Sequence, residues 1–291
     1  MEYGHGNGIE KLVRAMIYPR HAQGSSAVAD HYDELDPIYR ALWGEHVHHG
    51  LWETGRETPQ QAVAALSDLV AMRLGFATGD RLVDIGCGYG ATARRFAARG
   101  ALVTGFTISR AQCEAAAPAD NVTLLCRDWL ANGLPDAAFD GAYAIESSEH
   151  MVDKTLFFAQ ARRVLRPGAP LVVCAWLADA RPTPWQVDHL LEPICREGRL
   201  PSLGTAAEYR AMAEAAGFSC RDFADISASV ARTWAICAGR FVRALAVDAE
   251  VRRAALTARN RLFALSLPRL MLAYRTGALR YGVFSFVATA R

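Results

Sequence analysis

The chain has 291 residues, of which 52% are hydrophobic, with 32 Lys and Arg against 30 Asp and Glu. This length allows one large domain with a sizeable core, and a net charge of +2 gives no basis for a nucleic-acid partner. The seven cysteines are scattered without C-x-x-C spacing, which disfavours disulfides or a zinc site and favours a reducing cytosol. We expect neither a membrane span nor a signal peptide, because no long apolar run is present.

The N-terminal part of the chain is predicted to be helical. Thr58 suits the N-cap of the longest of these helices, and Gly75 suits its C-terminal stop. The helices are predicted over 9–17, 36–45 and 59–74.

A histidine cluster follows the second of these helices. His46, His48 and His49 are close enough in the chain to suggest a metal site. Since no matching set of Cys or His accompanies them, we interpret the cluster as a hydrogen-bonded group beside a ligand pocket. We predict no metal there.

From residue 79 onwards, apolar strands alternate with helices. Repeated units of this length predict an α/β fold with a parallel sheet and helices on both faces. The seven predicted strands cover 82–85, 101–106, 122–126, 139–145, 170–176, 218–226 and 281–289. The helices between them are predicted over 91–98, 109–117, 154–165, 186–192 and 206–216, with 230–274 almost entirely helical. We divide the chain into a helical segment over 1–78, a core over 79–180, a helical lid over 181–275 that includes the strand 218–226, and a final strand over 276–291.

The strongest functional signal is V-D-I-G-C-G-Y-G at 83–90. A strand that leads through a glycine-rich turn into a helix is typical of nucleotide binding, because glycines let a ligand lie against bare backbone. The spacing G-x-G-x-G, with no Lys after it, fits neither the dinucleotide fingerprint nor a P-loop. Asp84, at the strand end, is placed to meet a charged or hydroxylated ligand.

Polar side chains follow the second and third strands at the same edge of the sheet, where ligands of such folds bind. Thr107 and Gln112 take the positions where a dehydrogenase would carry an acid for the ribose. Ser109 is equally well explained as a helix N-cap. Asp128 and Trp129 suit an adenine ring, although Asp128 could also cap a helix.

Three ionisable residues follow the fourth strand. Glu146 and Glu149 are three positions apart, so they would share one face of a helical turn, and His150 follows. Near a pocket of low dielectric, these groups would shift one another's pKa values, which suits acid–base catalysis.

These motifs resemble a known family. The 83–90 segment resembles the first motif of class I S-adenosylmethionine (SAM)-dependent methyltransferases. G-F-T-I-S-R-A-Q at 105–112 is similar to the pattern of sterol C-methyltransferases, cyclopropane fatty acid synthases and tocopherol methyltransferases. I-E-S-S-E-H-M-V-D-K at 145–154 and G-E-H-V-H-H-G at 44–50 look most like γ-tocopherol methyltransferase, as does the 194–202 region. The resemblance covers residues 30 to 235.

The resemblance implies a Rossmann-like class I methyltransferase fold with a seven-stranded, mostly parallel sheet. It also implies an enzyme that uses SAM, releases S-adenosylhomocysteine, and covers the cofactor with an N-terminal segment. The cysteine usage makes the cytoplasm the expected compartment. The cofactor-binding residues expected on this basis are Tyr32, Asp84, Gly86, Cys87, Gly88, Thr107, Ile108, Gln112, Asp128, Trp129 and Glu146.

We expect C-methylation of a small apolar metabolite, such as an isoprenoid, indole or aromatic natural product. Lys11 and Lys154 are the only lysines, and this Arg-rich composition favours a bacterial source. Together with the resemblance, it leads us to expect a role in bacterial secondary metabolism. Positive charge would develop on the acceptor, where Glu146 or Glu149 could stabilise it and then take a proton. Substrate contacts are expected from Trp43, His46, Trp185 and Trp234.

Several alternatives stay open. One is O- or N-methylation of a phenol or amine with His150 as the base, and another is methylation coupled to cyclisation. A SAM-bound protein without transfer activity and a dinucleotide oxidoreductase are less favoured. Mg²⁺ enters only if the acceptor is a diphosphate, which Arg252 and Arg253 could bind. The expected partner is a small molecule, and the sequence is compatible with a homo-oligomer.

Overall fold

The computed structural model describes residues 16–259 and 263–290, with the side chains of 263–265 left out. Most of the helix predicted over 9–17 therefore lies outside the described residues. Its described end, Ile17, forms an isolated β-bridge with Leu203.

A single seven-stranded sheet organises the described chain. The strand order is β3-β2-β1-β4-β5-β7-β6, and every neighbouring pair is parallel except those of β7, which is antiparallel to both β5 and β6. The predicted seven-stranded, mostly parallel sheet is confirmed. The strands are β1 (Arg81–Ile85), β2 (Leu102–Thr107), β3 (Val122–Cys126), β4 (Gly141–Ile145), β5 (Pro170–Ala178), β6 (Phe218–Asp225) and β7 (Leu279–Ala288).

Helices cover both faces of this sheet. Those before the second strand are α1 (Ser25–Glu34), α2 (Asp36–Trp43), α3 (Pro59–Leu74) and α4 (Ala91–Ala97). Those in the rest of the sheet region are α5 (Arg110–Ala115), α6 (Lys154–Val164), α7 (Pro184–Gln186), α8 (Glu192–Glu197) and α9 (Ala206–Ala215). The last group is α10 (Ser227–Val230), α11 (Arg232–Val247), α12 (Ala249–Thr257) and α13 (Phe263–Arg275).

Local sequence explains the elements that were predicted well. Thr58 accepts a hydrogen bond from the backbone of Gln61 in a capping box, and Gly75 ends α3 in the left-handed conformation with φ +63°. The bounds of this helix are those predicted. The fourth strand begins at Gly141, two residues later than predicted, because Phe139 forms only an isolated bridge with Leu165.

Two helical regions differ from the prediction. Helix α1 was not among the predicted helices; it follows Gly24 and buries Val28 and His31. The helix predicted over 186–192 runs over 184–197, and a π-helical turn over Val187–Leu191 precedes Pro193. Proline lacks the N–H that a regular turn needs, and the wider turn accommodates it.

The topology places a crevice at one edge of the sheet. Along the chain, β1, β2 and β3 follow one another outwards on one side, and the chain then returns to β4 on the other side of β1. Ligands of open α/β sheets bind at such a switch point, beyond the carboxyl ends of the strands. The segments that follow β1, β2, β3 and β4 therefore all begin at this crevice.

Candidate active site

The glycine turn after β1 allows two backbone segments to come close. Gly86 has φ +83°, and a Cβ added there would lie 2.2 Å from the Cβ of Ser147, which follows β4. Ser147 also donates a hydrogen bond to the carbonyl of Ile85. Gly88 has φ +54°, and a Cβ there would meet nothing within 4 Å, so a side chain would occupy open space. Only glycine takes these conformations without strain and leaves that space free.

A cleft of about 680 Å³, including its mouth, lies beside this turn; we call it the loop cleft. It brings together side chains from α1 and from the ends of β1 to β4. Most of the predicted cofactor residues line it: Tyr32, Gly86, Gly88, Thr107, Ile108, Gln112, Asp128, Trp129 and Glu146.

The polar rim of the loop cleft is internally hydrogen-bonded. The Thr107 hydroxyl donates to Gln112 Oε1 at 2.7 Å. Ser109 caps α5, as its alternative interpretation predicts, and accepts from the backbone N–H of Gln112 at 3.1 Å. Asp128 also acts as a cap, because its Oδ1 accepts from the backbone N–H of Leu130 at 2.9 Å. These bonds fix the side chains that face the cleft.

Helix α1 covers the loop cleft. The Ser25 hydroxyl donates to Asp128 Oδ2 at 3.1 Å. Asp33 Oδ1 accepts from the Ser109 hydroxyl at 2.5 Å and from the backbone N–H of Ala111 at 3.1 Å. The cover is therefore tied to the segments after both β2 and β3.

Asp84 and Cys87 lie behind the glycine turn rather than in the loop cleft. Burial raises the pKa of Asp84 to about 7, although the hydroxyl of Tyr143 donates to its carboxylate at 2.9 Å. Both residues line a smaller polar pocket of about 320 Å³, which shares Gly86 and Gly88 with the cleft. His46 lies in the same small pocket, where its Nδ1 is 3.2 Å from His48 Nε2.

A second cavity of about 460 Å³ adjoins the loop cleft; we call it the aromatic pocket. Aromatic rings form most of its wall, and neighbouring rings pack with centroid distances of 5.0 Å for Tyr32 and Tyr39 and 5.3 Å for Trp176 and Trp234. Four residues line both cavities, so the cavities meet there. The four shared residues are Tyr32, Val47, Glu146 and His150.

The aromatic pocket contains two of the predicted substrate residues, Trp43 and Trp234. His46 is not among its lining residues. Trp185 was also predicted to contact the substrate, but it does not line this pocket. It is 52% exposed on the short helix α7, where its ring packs against His189 with centroids 5.4 Å apart. Its place in the chain did not indicate that its side chain would be exposed.

Sequence reasoning missed Tyr39 and Trp176 in this pocket. Tyr39 lies on α2, and Trp176 lies near the end of the apolar strand β5. An aromatic residue in an amphipathic helix or an apolar strand normally indicates core packing. Only the position of Trp176 at the carboxyl end of a strand could have indicated a pocket.

Glu146 is held on all sides by hydrogen-bond donors. Its Oε1 accepts from the backbone N–H of His49 at 2.6 Å and from the hydroxyl of Tyr281 at 2.7 Å. Its Oε2 lies 2.8 Å from His49 Nδ1 and accepts from the indole of Trp176 at 3.0 Å. Burial would raise the pKa of Glu146, but its attraction to His49 and the hydrogen bonds lower it to about 2. The side chain is therefore a fixed anion.

Glu149 has fewer partners and a different ionisation. Its Oε1 accepts from the backbone N–H of Trp176, and its Oε2 accepts from the Ser148 hydroxyl at 3.2 Å. The residue is 1% exposed, and this burial raises its pKa to about 7 in spite of the hydrogen bonds. A carboxylate with a pKa near neutrality can both hold and release a proton under ordinary conditions.

His150 connects the two cavities to the α1 cover. Its Nε2 shares a hydrogen bond with the Tyr32 hydroxyl at 2.9 Å. Burial, followed by repulsion from Lys154, lowers the pKa of His150 to about 4, so the imidazole is neutral at pH 7.

The structure therefore brings the three predicted catalytic residues together, but by a different route from the one expected. Glu146 has φ +54° and is not helical, and a 3₁₀ turn begins only at Ser148. Both carboxylates line the aromatic pocket although they do not share a helix face.

A further expectation concerns the arginine pair on α12 that could bind a diphosphate acceptor. Arg252 and Arg253 are exposed on α12, and Arg252 donates to the carbonyls of Leu245 and Ala246 at the end of α11, away from the aromatic pocket.

Over 16–259 and 263–290, no group of three or more His, Cys, Asp or Glu is arranged to hold a metal ion. Within those same ranges, none of the helices combines the length and apolar character that crossing a bilayer requires.

Comparison with known proteins finds methyltransferases among the relatives of this chain. The 27-O-demethylrifamycin SV methyltransferase of Amycolatopsis mediterranei (strain S699) is 35% identical over 219 residues, which cover 72% of this chain and 80% of that protein. A probable tocopherol O-methyltransferase, chloroplastic, from Oryza sativa subsp. japonica is 27% identical over 286 residues, covering 89% of this chain and 76% of that protein.

The fold has solved counterparts. Mycolic acid cyclopropane synthase CmaA1, in a complex with SAH and CTAB, matches with a TM-score of 0.80 and 21% identity, covering 92% of this chain and 99% of that one. The family model described as mycolic acid cyclopropane synthetase matches residues 20–268. The chain therefore belongs to the mycolic acid cyclopropane synthetase family of class I SAM-dependent methyltransferases.

Proposed function

We propose that this methyltransferase acts on a hydroxyl group of a neutral, hydrophobic, ring-bearing molecule, with Glu149 as the general base. The observation that carries the proposal is the position of Glu149. It is a buried carboxylate with a pKa near 7 in the aromatic pocket, and it directly precedes His150, which lines both cavities. A hydroxyl must lose its proton during methylation, and a base with a pKa near the working pH is best suited to take it.

The loop cleft is the proposed SAM site, and its lining suits such a ligand. The open space beside Gly88 admits a molecule against the backbone, while Thr107, Gln112 and Asp128 offer polar atoms to hydroxyl and amino groups. When bound, SAM supplies an electrophilic methyl group. Helix α1 closes over the cleft through Tyr32, which limits the access of water.

Glu146 and His150 orient the reaction in this proposal. Glu146 holds His49, Trp176 and Tyr281 in one arrangement, so it fixes the wall of the aromatic pocket rather than taking a proton. Its four hydrogen bonds occupy both carboxylate oxygens. Neutral His150 positions the Tyr32 hydroxyl at the junction of the two cavities. Holding the reacting groups in one geometry is the main contribution of such a site.

The pocket chemistry restricts the acceptor. Of the described residues that line the aromatic pocket, none is Lys or Arg, whereas two are glutamates. A phosphate or diphosphate would meet negative charge without a compensating cation. The aromatic walls favour a flat or cyclic hydrophobic molecule. The two relatives compared above carry names that refer to oxygen methylation, which agrees with this choice.

C-methylation, expected from the sequence, is the second candidate. The observation that favours it is that several aromatic side chains line the same pocket as the fixed anion Glu146. Aromatic faces and a buried carboxylate would stabilise positive charge on a carbon acceptor.

The test is a screen of phenols, macrocyclic alcohols, indoles and prenyl diphosphates with SAM that carries a carbon-13 methyl group. NMR of the product distinguishes an O-methyl from a C-methyl. We expect an O-methyl product from a hydroxylated acceptor, and Glu149→Gln is expected to lower kcat by about 10²-fold or more. Cofactor affinity, measured by calorimetry, is expected to stay unchanged.

The matched control is Glu250→Gln, a substitution at an exposed carboxylate on α12, which is expected to have no effect. Full turnover in Glu149→Gln would contradict the assignment of the base. A C-methyl product as the only product would favour the second candidate.

A further inference from the structure

Lys154, the first residue of α6, is a buried lysine at the back of the site. It is 4% exposed. Its Nζ donates to the carbonyl of Glu149 at 3.1 Å, to the carbonyl of Met151 at 3.4 Å and to the hydroxyl of Ser202 at 2.8 Å. All three partners are neutral oxygens.

The charge of Lys154 is not paired by contact. Among the ion pairs of the described residues, none includes Lys154, although isolated buried charges are unfavourable. Burial lowers its pKa to about 8, and attraction to Glu149 partly offsets this, so the ammonium is charged at neutral pH. A buried cation without an ion-pair partner requires an explanation other than stability.

Its partners belong to two different parts of the site. Glu149 lies on the 3₁₀ turn over Ser148–His150, which carries the proposed base. Ser202 lies in the 198–204 segment, whose Gly198 and Leu200 line the aromatic pocket. One ammonium group thus joins the turn that carries the base to a wall of the pocket.

We propose that Lys154 is a positioning residue that ties the Glu149 turn to the 198–204 segment and keeps a positive charge behind Glu149. The proposal rests on the proposed function in treating Glu149 as the base. The charge favours the carboxylate form of Glu149 and the neutral form of His150, which is the pair of states that proton removal needs.

Two charged side chains of the described residues act on the pKa of Glu149. Lys154 lowers this pKa, and Glu146 raises it. The titratable groups that face Glu149 or Lys154 from the elements around them are Tyr32, Glu146, His150, Cys174, Cys195, Tyr209 and Tyr274.

The test separates the charge of Lys154 from its tether. Lys154→Met removes both, Lys154→Arg keeps the charge, and Ser202→Ala removes only the bond to the pocket wall. The first readout is a carbon-13 NMR titration of glutamate carboxyls, assigned by the signal that Glu149→Gln loses. It needs no acceptor. The second readout is the pH dependence of kcat/KM with an acceptor from the screen.

We expect Lys154→Met to raise the pKa of Glu149 by about one unit, because removal of an opposite charge has that size of effect. The acid limb of kcat/KM should move by the same amount. Lys154→Arg should leave the titration in place, and Ser202→Ala should raise KM for the acceptor with the titration unchanged. Calorimetry with SAM checks that each variant is folded.

An unchanged Glu149 titration in folded Lys154→Met would overturn the proposal. If that variant does not fold, an unchanged KM in Ser202→Ala would contradict the proposed link between the Glu149 turn and the 198–204 segment. A titration that moves as expected while Glu149→Gln stays fully active would support the charge effect and contradict the proposed function, so the two failures are distinguishable.

Discussion

Two carboxylates, three positions apart in the chain, have opposite ionisation behaviour. Glu146 meets four hydrogen-bond donors and has a pKa of about 2, whereas Glu149 has a pKa of about 7. The ordinary glutamate value is 4.5, so one pKa is lowered and the other is raised. A pair of acids separated in this way can divide the work of orientation and proton transfer.

This separation gives opposite pH dependences. The folded pKa of Glu149 lies above its ordinary value of 4.5, so its contribution to stability is complete below pH 4.5 and is lost as pH rises through about 7. Activity should rise over that same upper range, because the base must be deprotonated. The contribution of Glu146 is present above pH 4.5 and is lost as pH falls towards 2.

The measurement is kcat/KM and the free energy of unfolding over pH in the wild type and in Glu149→Gln. The variant should lose the rise in activity and the part of the stability slope that belongs to Glu149. A wild-type rate that stays flat through the neutral range would be inconsistent with this assignment.

Helix α1 is the element that closes the loop cleft, and side-chain hydrogen bonds of Ser25, Tyr32 and Asp33 attach it around the cleft. Asp33 accepts two hydrogen bonds from the start of α5, and Ser25 donates to Asp128. The helix buries only Val28 and His31. Few buried apolar contacts and specific polar tethers are typical of an element that opens locally.

We therefore expect Asp33→Ala to weaken SAM binding about tenfold, through the loss of two hydrogen bonds worth about 0.5–1.5 kcal/mol each. The melting temperature should change little, because the core is untouched. Calorimetric titration with SAM measures the effect. Asp30→Ala on the same helix is the control. Asp30 is largely exposed, and its ion pair with Arg259 is long, at 3.9 Å. Equal affinities of the two variants would argue against α1 as a cover.

Element prediction succeeded where the signal was local. The glycine turn, Ser109 and the polar strand ends each carry their signal within a few residues, and the structure brings most of them to the loop cleft. The aromatic pocket was only partly predictable. Tyr39 and Trp176 reach it from α2 and β5, and their local patterns are those of ordinary core residues. Which aromatic side chain faces a cavity depends on packing between distant segments.

In the molecule as a whole, β7 carries much of the core. Phe284 lies in the middle of β7, fully buried, with its ring 4.7 Å from Phe223 and 5.7 Å from Tyr209, centroid to centroid. Because these partners lie on β6 and α9, the ring joins the antiparallel end of the sheet to the helical layer.

Phe284→Ala is expected to lower the free energy of unfolding by about 3–5 kcal/mol, the usual effect of removing a buried phenyl ring. Urea unfolding measures this. Leu256→Ala is the control, because Leu256 is 73% exposed on α12 and should change stability by less than about 0.5 kcal/mol. A small effect at Phe284 would mean that this end of the sheet adds little to global stability.

Strand β7 also has a consequence for biosynthesis. It is made after every other described strand, yet it inserts between β5 and β6, and Tyr281 on it donates to Glu146. In a nascent chain that has not yet released β7 from the ribosome, β6 is not joined to β5 through β7. Glu146 then also lacks the hydrogen bond from Tyr281. The hydrogen-bond donors around the Glu146 carboxylate are therefore complete only after β7 has been synthesised and inserted into the sheet.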